Sequence, residues 1–520
     1  GARWSEKDIV LITYGDSIID PPKKSLIVLK EFLLENLKEE ISFVHILPFF
    51  PYSSDDGFSV IDYRTVNPEL GDWKDIKELS THFKLMFDLV INHISQHSEW
   101  FKNYLNNRIP GKNYFIEADP MLDYSRVVRP RSLPLLTKVN HIAGEKYVWT
   151  TFSSDQIDLN FGEPELLAEM VKIFLFYLEK GARMIRLDAI AFLWKEIGTT
   201  CLHLPQTHEF VKLLRDICGY LSESLILLTE TNVPNRENLS YCGNTDEAHM
   251  VYQFSLPPLL LYSLYSGNSE YLTKWAETIS EIPDGCTFFN FTASHDGIGV
   301  RPLEGLLPPA EMNSLLEGMK KIGGKVSTKQ NSNGTDSAYE INISYFDAMK
   351  ETKNGPDSFQ ERRFICSQTI MLAMKGMPAF YIHSLLGTPN FTEGVMKTGM
   401  NRTINRKKYS RNEIKDILST NNHHLRVLNE LKKLITIRKN NKAFHPEAKQ
   451  TIYNLDKSLY VLERDVGSLY SISNISDTRQ EVLLDGILKS KEYWLDVISG
   501  KEITRNQKLD IEPYQTYWLE

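Results

Sequence analysis

Two residues able to do chemistry stand at the end of one short apolar stretch. Residues 181–191 begin with small side chains and continue as an apolar run that ends in Arg-Leu-Asp, which predicts a buried strand ending near Arg186 and Asp188. Because these residues are two positions apart, their side chains lie on the same face of the strand. A neighbouring guanidinium favours the ionised form of a carboxyl group, and an ionised carboxylate can act as a nucleophile. Taken alone, the stretch also fits a structural ion pair.

Further polar residues follow other apolar runs. Glu230 comes shortly after the run 225–228, and His295 and Asp296 follow the run 288–291. The full set of such candidates is Asp55, Asp88, Asn92, His93, Arg186, Asp188, Glu230, His295 and Asp296. The set lacks the Cys or multiple-His spacing of a transition-metal centre, so no metal is expected. Two carboxyl groups flanking one bond are what glycoside chemistry requires.

These residues need a scaffold that brings many strand ends together. Short β-rich runs begin near residues 9, 43, 86, 184, 225, 250, 288 and 377, and helical spacing or long inserts separate most of them. This alternation predicts an α/β fold, a (β/α)8 TIM barrel, in which active sites lie at the C-terminal ends of the strands. After residue 440 only strands are predicted. The predicted domains are a barrel over 1–95 and 161–440 with an insert at about 300–370, a B-type inserted domain over 96–160, and a C-terminal antiparallel β-sandwich over 441–520.

Composition narrows the classes of partner. The 520 residues carry a net charge of −8, which argues against nucleic acid and anionic membranes as partners. The five cysteines show neither CxxC nor Cys/His spacing, so we expect no disulfide framework and a reducing cytoplasm. No signal peptide and no apolar run of membrane-spanning length is recognisable, which also favours a cytoplasmic protein.

Glycoside chemistry assigns a role to each of the main candidates. Asp188, beside Arg186, is the natural nucleophile. Glu230 follows an apolar run, and such surroundings would raise its pKa enough for it to hold a proton as the acid/base. Asp296 could bind sugar hydroxyls in an oxocarbenium-like transition state, and His93 and His295 could donate hydrogen bonds to neighbouring hydroxyls.

Four stretches resemble the core motifs of the α-amylase-type glycoside hydrolases, in the same order and at the predicted strand ends. They are residues 88–93, 181–188, 229–231 and 294–296, and residues 156–160, which begin at Gln156, resemble the accessory motif before the fourth strand. The resemblance implies Asp188 as nucleophile, Glu230 as acid/base and Asp296 as transition-state stabiliser. It further implies that Arg186, His93, Gln156 and His295 are their partners or contact the sugar.

Finer features resemble the sucrose-phosphorylase group of that family. Residues 55–58 are similar to a loop that closes a one-glucose pocket, which implies Asp55 and Phe58 in sugar binding. Residues 399–406 imply Arg402 at the glucose hydroxyls, and residues 342–345 resemble the acceptor loop and imply Tyr345. Such enzymes break an α-glucoside with inorganic phosphate as co-substrate. They need no cofactor and retain the anomeric configuration through a β-glucosyl-enzyme.

The acceptor is the least determined feature. Residues 198–208 and 291–301 are similar to the glucosylglycerate phosphorylases, which implies phosphorolysis of 2-O-α-glucosyl-D-glycerate to α-glucose 1-phosphate. A glycerate carboxylate would call for Arg or Lys, and Arg126, Arg129 and Arg131 are candidates that also fit solvated surface charges. Sucrose, sucrose 6-phosphate or glucosylglycerol phosphorolysis, a retaining α-glucosidase and a catalytically silent binding subunit stay open. We expect small molecules as partners, and a homodimer is compatible with the sequence.

Overall fold

The protein is built around a closed barrel of eight parallel strands. The structure is a computed structural model that describes residues 3–279, 281–331 and 333–520. The barrel strands are β1 (Val10–Thr13), β2 (Phe43–Ile46), β3 (Lys84–Leu89), β4 (Ala182–Leu187), β5 (Ile226–Thr229), β6 (Met250–Tyr252), β7 (Thr287–Asn290) and β8 (Met377–Tyr381). Neighbours along the chain pair in parallel, and β8 pairs with β1 to close the barrel. The predicted fold is confirmed.

Each barrel strand is followed along the chain by a helix. These helices are α1 (Ser25–Asn36), α2 (Trp73–Ser80), α3 (Pro164–Glu179), α4 (Pro205–Leu221), α5 (Asn235–Leu239), α6 (Leu256–Ser266), α7 (Gln360–Ala373) and α8 (His423–Lys439). Both α3 and α4 begin with proline, which is tolerated in the first turn because the N–H it lacks would have no partner in the helix. Gly181, with φ +109°, turns the chain from α3 into β4.

Shorter elements fill the two predicted inserts and the remaining loops. The other helices are Glu99–Leu105, Glu270–Thr278, Pro309–Lys321, Tyr345–Ala348, Ile382–Leu385, Thr392–Thr398 and Arg411–Ser419. Paired strands are His93–Ser95 with Gln156–Asp158, Leu136–His141 with Gly144–Trp149, Ile18–Ile19 with Tyr409–Ser410, and Glu351–Thr352 with Gly355–Pro356. Ile298–Gly299, Lys325–Gln330 and Asp336–Asn342 form a three-stranded sheet. Both inserts therefore contain sheets of their own, while the exact domain limits stay a prediction.

The chain after α8 forms antiparallel sheets, as expected. A four-stranded sheet contains Gln450–Tyr453, Leu459–Arg464, Leu469–Asn474 and Thr516–Leu519. Gln480–Leu483 pairs with Lys508–Ile511, and Tyr493–Leu495 pairs with Glu502–Thr504. The sheets share an apolar core of their own, and Trp518 packs on Phe444 with ring centres 4.9 Å apart. This contact joins the C-terminal sheets to the barrel.

The barrel strands are buried along almost their whole length. Lys84 and Arg183 are the only barrel-strand residues with appreciable exposure. Strands covered on both faces read as continuous apolar runs, which is why the sequence located them. The acidic and basic residues buried in these strands, His45, Asp88 and Arg186, must therefore find partners inside the protein. None of the helices among the described residues is long and apolar enough to cross a membrane.

Arg438, on α8, connects this helix to four other parts of the chain through hydrogen bonds. Its side chain is fully buried, and burial lowers its pKa to about 9. It donates hydrogen bonds to four backbone carbonyls, those of Leu372 (2.9 Å), Glu6 (2.7 Å), Gly376 (3.1 Å) and Phe444 (3.1 Å). One side chain thus joins the N-terminus, α7, the turn before β8 and the linker to the C-terminal sheets.

Replacing Arg438 by leucine should destabilise the protein, because four buried carbonyls lose their donor and leucine cannot replace it. We expect the apparent midpoint of thermal unfolding, followed by circular dichroism, to fall by several degrees. The matched control is Arg426→Leu, which removes an exposed pair with Glu361 and should change the midpoint little. Equal midpoints for the two variants would contradict this role of Arg438.

Candidate active site

A pocket opens where the barrel strands end at their C-terminal side. Ten of the residues singled out in the sequence line it: Asp55, Phe58, His93, Arg131, Gln156, Asp188, Glu230, His295, Asp296 and Arg402. An eleventh, Arg186, lies beneath the pocket and bonds to Asp188. The structure thus brings together residues that are far apart in the sequence, at the face where barrels place their active sites.

Arg186 is the buried centre of the site. Its side chain is 2% exposed, and its Nη1 donates to Asp188 Oδ1 at 2.8 Å and to Asp88 Oδ1 at 2.6 Å. Its Nε donates to the hydroxyl of Tyr252 at 3.0 Å. Asp88 Oδ2 in turn lies 2.6 Å from His45 Nε2. These bonds compensate for removing a guanidinium from water, and they hold it below the pocket.

Barrel register explains how these partners meet. Asp88 on β3 stands directly opposite Arg186 on β4, and Leu228 on β5 is the next residue at the same level. Side chains directly opposite each other on neighbouring strands project from the same face. Asp188 is two residues beyond Arg186, and it therefore lies on the same side, one step closer to the pocket.

Asp188 and Glu230 stand at the ends of neighbouring strands, β4 and β5. Glu230 Oε2 accepts a hydrogen bond from the backbone N–H of Ala189 at 2.8 Å, and it lies 4.0 Å from Arg186 Nη2. Ala189 has a positive φ of 52°, so the chain bends sharply just after Asp188. The bend turns the N–H of Ala189 towards Glu230, and this links the two carboxyl groups.

Burial changes the electrostatics of this pair from what the sequence suggested. Desolvation raises the pKa of Asp188 well above its usual value; Arg186 opposes the shift, and Glu230 adds to it. Desolvation likewise raises the pKa of Glu230, against the effect of Arg186. The expectation that Arg186 alone would lower the pKa of Asp188 is therefore wrong, because it left out desolvation and the second carboxyl group. Two buried carboxyl groups that share one guanidinium and repel each other retain a proton between them more readily than either would alone.

The pKa of Asp296 shifts in the opposite direction, downwards. Its Oδ1 lies 2.9 Å from Arg402 Nη1, 3.3 Å from His295 Nε2 and 3.6 Å from Arg406 Nη2. Desolvation would raise the pKa of Asp296, but the guanidinium groups of Arg402 and Arg406 hold it well below its usual range. Asp296 therefore stays ionised at neutral pH.

Asp55 is the second carboxylate held in its ionised form. Its Oδ2 accepts hydrogen bonds from Gln156 and Arg131, both at 3.2 Å. Burial would raise the pKa of Asp55, but Arg131, together with Arg402 and Arg406, lowers it to about 2. Asp55 thus presents a fixed negative charge to the pocket.

Both predicted histidines are neutral at pH 7. Burial lowers the pKa of His93 to about 4 and that of His295 to about 3. His93 Nε2 lies 2.9 Å from the carbonyl of Phe58, so that nitrogen carries the proton and donates. The ring of Phe58 stacks on that of His295 with centres 4.9 Å apart. Contacts within the protein therefore hold both histidine rings in place without a bound sugar.

Tyr345, which the resemblance implied for the acceptor loop, does not line the pocket. Its side chain is buried in the short helix Tyr345–Ala348 within the second insert, where its hydroxyl donates to the carbonyl of Pro257 at 2.8 Å. Tyr339, six residues earlier on the strand Asp336–Asn342, lines the pocket instead. Burial raises the pKa of Tyr339 to about 12, so its hydroxyl stays protonated.

Three further residues at the site were not predicted, and one of them, Arg406, lies beside the pocket next to Asp296. Arg406 donates from Nε to the carbonyl of His295 at 2.8 Å and from Nη1 to Asp56 at 2.7 Å. It stands four residues after Arg402 in the same segment, so the sequence offered a signal for it. Arg301 and Asn232 line the pocket itself. Arg301 ends the stretch 291–301 whose resemblance bears on the acceptor, but nothing in that stretch singled out this residue, and the loop of Asn232 carries no such signal.

Comparisons with known proteins agree with this geometry. Residues 34–298 match the family model for the α-amylase catalytic domain. The chain is 45% identical to the glucosylglycerate phosphorylase of Escherichia coli over 99% of this chain and 92% of that protein, and 46% identical to that of Spirochaeta thermophila over 91% and 81%. The crystal structure of a sucrose 6F-phosphate phosphorylase from Thermoanaerobacter thermosaccharolyticum superimposes with a TM-score of 0.77 at 25% identity, covering 98% of each chain.

Two tyrosine variants test the placement of the acceptor loop. Tyr345→Phe removes a buried hydrogen bond to Pro257, and we expect a loss of about 1 kcal/mol in the free energy of unfolding with unchanged substrate KM. Tyr339→Phe removes a hydroxyl at the pocket, and we expect kcat/KM to fall about two- to tenfold, chiefly through a raised KM. A KM effect confined to Tyr345→Phe would show that the two residues have been interchanged.

Proposed function

The chain belongs to the family of α-amylase catalytic domains, and from this premise we propose that it is a retaining glycoside phosphorylase. Its proposed reaction is the reversible phosphorolysis of 2-O-α-glucosyl-D-glycerate to α-glucose 1-phosphate and D-glycerate. The observation that carries the proposal is the pairing of Asp188 with Glu230 at neighbouring strand ends, with the guanidinium of Arg186 bonded to the first and 4.0 Å from the second. The names of the two relatives that are nearly half identical support glucosylglycerate over sucrose as the substrate.

The first half-reaction needs a carboxylate and a carboxylic acid, and one proton shared by the pair supplies both. Arg186 donates a hydrogen bond to Asp188 and only approaches Glu230, so this contact favours the negative charge on Asp188 and the proton on Glu230. Asp188 attacks the anomeric carbon while Glu230 gives its proton to the leaving glycerate oxygen. The glycosidic bond breaks, and a β-glucosyl ester of Asp188 forms.

The second half-reaction replaces the ester by phosphate. A phosphate oxygen attacks the anomeric carbon, the bond to Asp188 breaks, and any proton on the attacking oxygen passes to the carboxylate of Glu230. Two inversions give net retention, so the product is α-glucose 1-phosphate. The same steps in reverse make the glucoside, with glycerate as the attacking group.

Ionised and neutral groups around the pair fit the charge that develops on the sugar. Asp296, kept ionised by Arg402 and Arg406, supplies negative charge near an oxocarbenium-like transition state. Asp55 supplies acceptors for glucose hydroxyls, and neutral His93 and His295 can both donate and accept hydrogen bonds. Fixed groups of this kind need little reorganisation during the reaction, which is how such a site lowers the barrier.

The intact carboxyl groups of the site favour an enzyme over a catalytically silent binding subunit. All three carboxyl groups are present and connected to the cations that set their protonation states. We further propose a cytoplasmic location, which the five cysteines, all buried and unpaired in the described chain, support. Phosphate and a small glucoside are the only partners the reaction requires, and the proposed chemistry uses no metal or organic cofactor.

Phosphate release from α-glucose 1-phosphate tests the proposal. We expect D-glycerate to stimulate release at least tenfold over the rate without acceptor, and more than glycerol, fructose or fructose 6-phosphate do at equal concentration. Asp188→Asn should abolish release, because a neutral amide cannot form the glucosyl ester, and its unfolded fraction is checked by circular dichroism.

The acceptor panel also separates the alternatives. Stimulation by fructose or fructose 6-phosphate, but not by glycerate, would assign the enzyme to sucrose or sucrose 6-phosphate. Release that no acceptor accelerates beyond the rate in water alone would make the protein a hydrolase and contradict phosphorolysis.

A further inference from the structure

Arg301 is a buried arginine without a hydrogen-bond partner for its guanidinium in the described parts of the chain, although it attracts the carboxylate of Glu237 at longer range. The residue is 7% exposed, and its Nε is fully shielded from solvent yet has no hydrogen-bond acceptor. Within the described parts of the chain, its side chain forms neither an ion pair nor a hydrogen bond. Burying an unpaired charge is costly, so a protein that keeps one usually pairs it with a ligand.

Its position is fixed relative to the reacting groups. Arg301 begins one turn of 3-10 helix, Arg301–Leu303, only five residues after Asp296. The short strand Ile298–Gly299 precedes it and pairs with Asp336–Asn342, the strand that carries Tyr339. The backbone that carries Arg301 therefore belongs to the loop after β7 and is held against the second insert by strand pairing.

Arg301 lies between two pockets. It lines the active-site pocket with Asp188 and Glu230, and it also lines an outer pocket that contains Arg126, Arg129 and Lys329. We call this outer pocket the basic vestibule. A small anionic acceptor that approaches through the vestibule would meet Arg301 where the two pockets join.

The neighbouring cations already have acceptors. Arg131 bonds to Asp55 at 3.2 Å, and Lys329 lies 3.8 Å from Glu304. Arg126 donates to the carbonyl of Gly198 at 2.6 Å, and Arg129 donates to that of Leu133. The arginines that the sequence suggested for an acceptor anion thus have partners in the protein, whereas Arg301 keeps its donors for a ligand.

We propose that Arg301 binds the carboxylate of the acceptor and thereby determines its specificity, an inference that rests on the proposed phosphorylase function. The free Nε and the adjacent Nη form the planar fork that matches a carboxylate with two parallel hydrogen bonds. An acceptor that lacks the carboxylate leaves the guanidinium buried and unpaired. A site of this kind rejects neutral analogues more strongly than a hydrophobic contact could.

Asn232 completes the acceptor site. Its Oδ1 is buried, lacks a hydrogen-bond partner, and belongs to a residue that lines the same pocket as Arg301. A Cβ at Gly299 would lie only 2.5 Å from this oxygen. Any residue other than glycine at position 299 would therefore clash with the amide of Asn232. The hydroxymethyl group of glycerate would donate to Asn232 Oδ1 while its carboxylate bonds to Arg301.

Arg301→Gln tests the assignment in the synthetic direction with saturating α-glucose 1-phosphate. We expect kcat/KM for D-glycerate to fall about 10- to 100-fold and that for glycerol to change less than about threefold, because only glycerate uses the charge. The variant keeps a planar polar side chain of similar length. Arg426→Gln is the matched control, because it removes an exposed guanidinium on α8 that lines neither pocket, and it should leave the ratio of the two acceptors within about twofold of the unsubstituted enzyme.

An unchanged ratio of glycerate to glycerol in Arg301→Gln would overturn the assignment. Equal losses for both acceptors with a raised KM for phosphate would assign Arg301 to phosphate instead and would also overturn it. If wild-type enzyme releases no phosphate with any acceptor, the proposed function itself fails, and that result is distinct from either outcome.

The unsubstituted enzyme provides a test that does not depend on how the variant folds. Glyceramide matches glycerate in shape but lacks its charge. We expect kcat/KM for glyceramide to be at least about tenfold below that for D-glycerate. Equal values for the two acceptors would contradict a carboxylate contact at Arg301.

Discussion

One buried guanidinium, that of Arg186, governs the chemistry of this molecule. It could not remain charged inside a barrel without acceptors, and Asp88, Asp188 and the hydroxyl of Tyr252 provide them. Parallel register between β3 and β4 sets Asp88 opposite Arg186, and the two-residue repeat of β4 puts Asp188 above it. The scaffold therefore fixes the nucleophile's position through the same bonds that make the buried charge tolerable.

Charge divides the pocket into two regions with different protonation. Asp296 and Asp55 lie beside Arg402, Arg406 and Arg131, so both remain ionised. The carboxyl groups of Asp188 and Glu230 share the single guanidinium of Arg186, and burial raises the pKa of each. A glycosyl transfer needs fixed negative charge around the sugar and one mobile proton at the bond that breaks, and this division supplies both.

Local sequence predicted the scaffold well, because fully buried strands are apolar along their length and the catalytic motifs lie at their ends. It predicted the loops less well. Tyr345 belongs to a motif that resembles the acceptor loop, yet the path of the insert brings Tyr339 to the pocket. Arg301 and Asn232 depend on tertiary contacts between separate loops, which no periodicity records. The raised pKa of Asp188 likewise depends on burial that the sequence cannot measure.

Covalent trapping tests the double displacement at its defining step. In Glu230→Gln, α-glucosyl fluoride should still transfer glucose to Asp188, because fluoride leaves without protonation, while the later attack of water lacks its general base. We expect mass spectrometry of the intact protein, and then of its peptides, to find one glucosyl group on the peptide that contains Asp188. No adduct, or an adduct confined to another residue, would contradict a glucosyl-enzyme at Asp188.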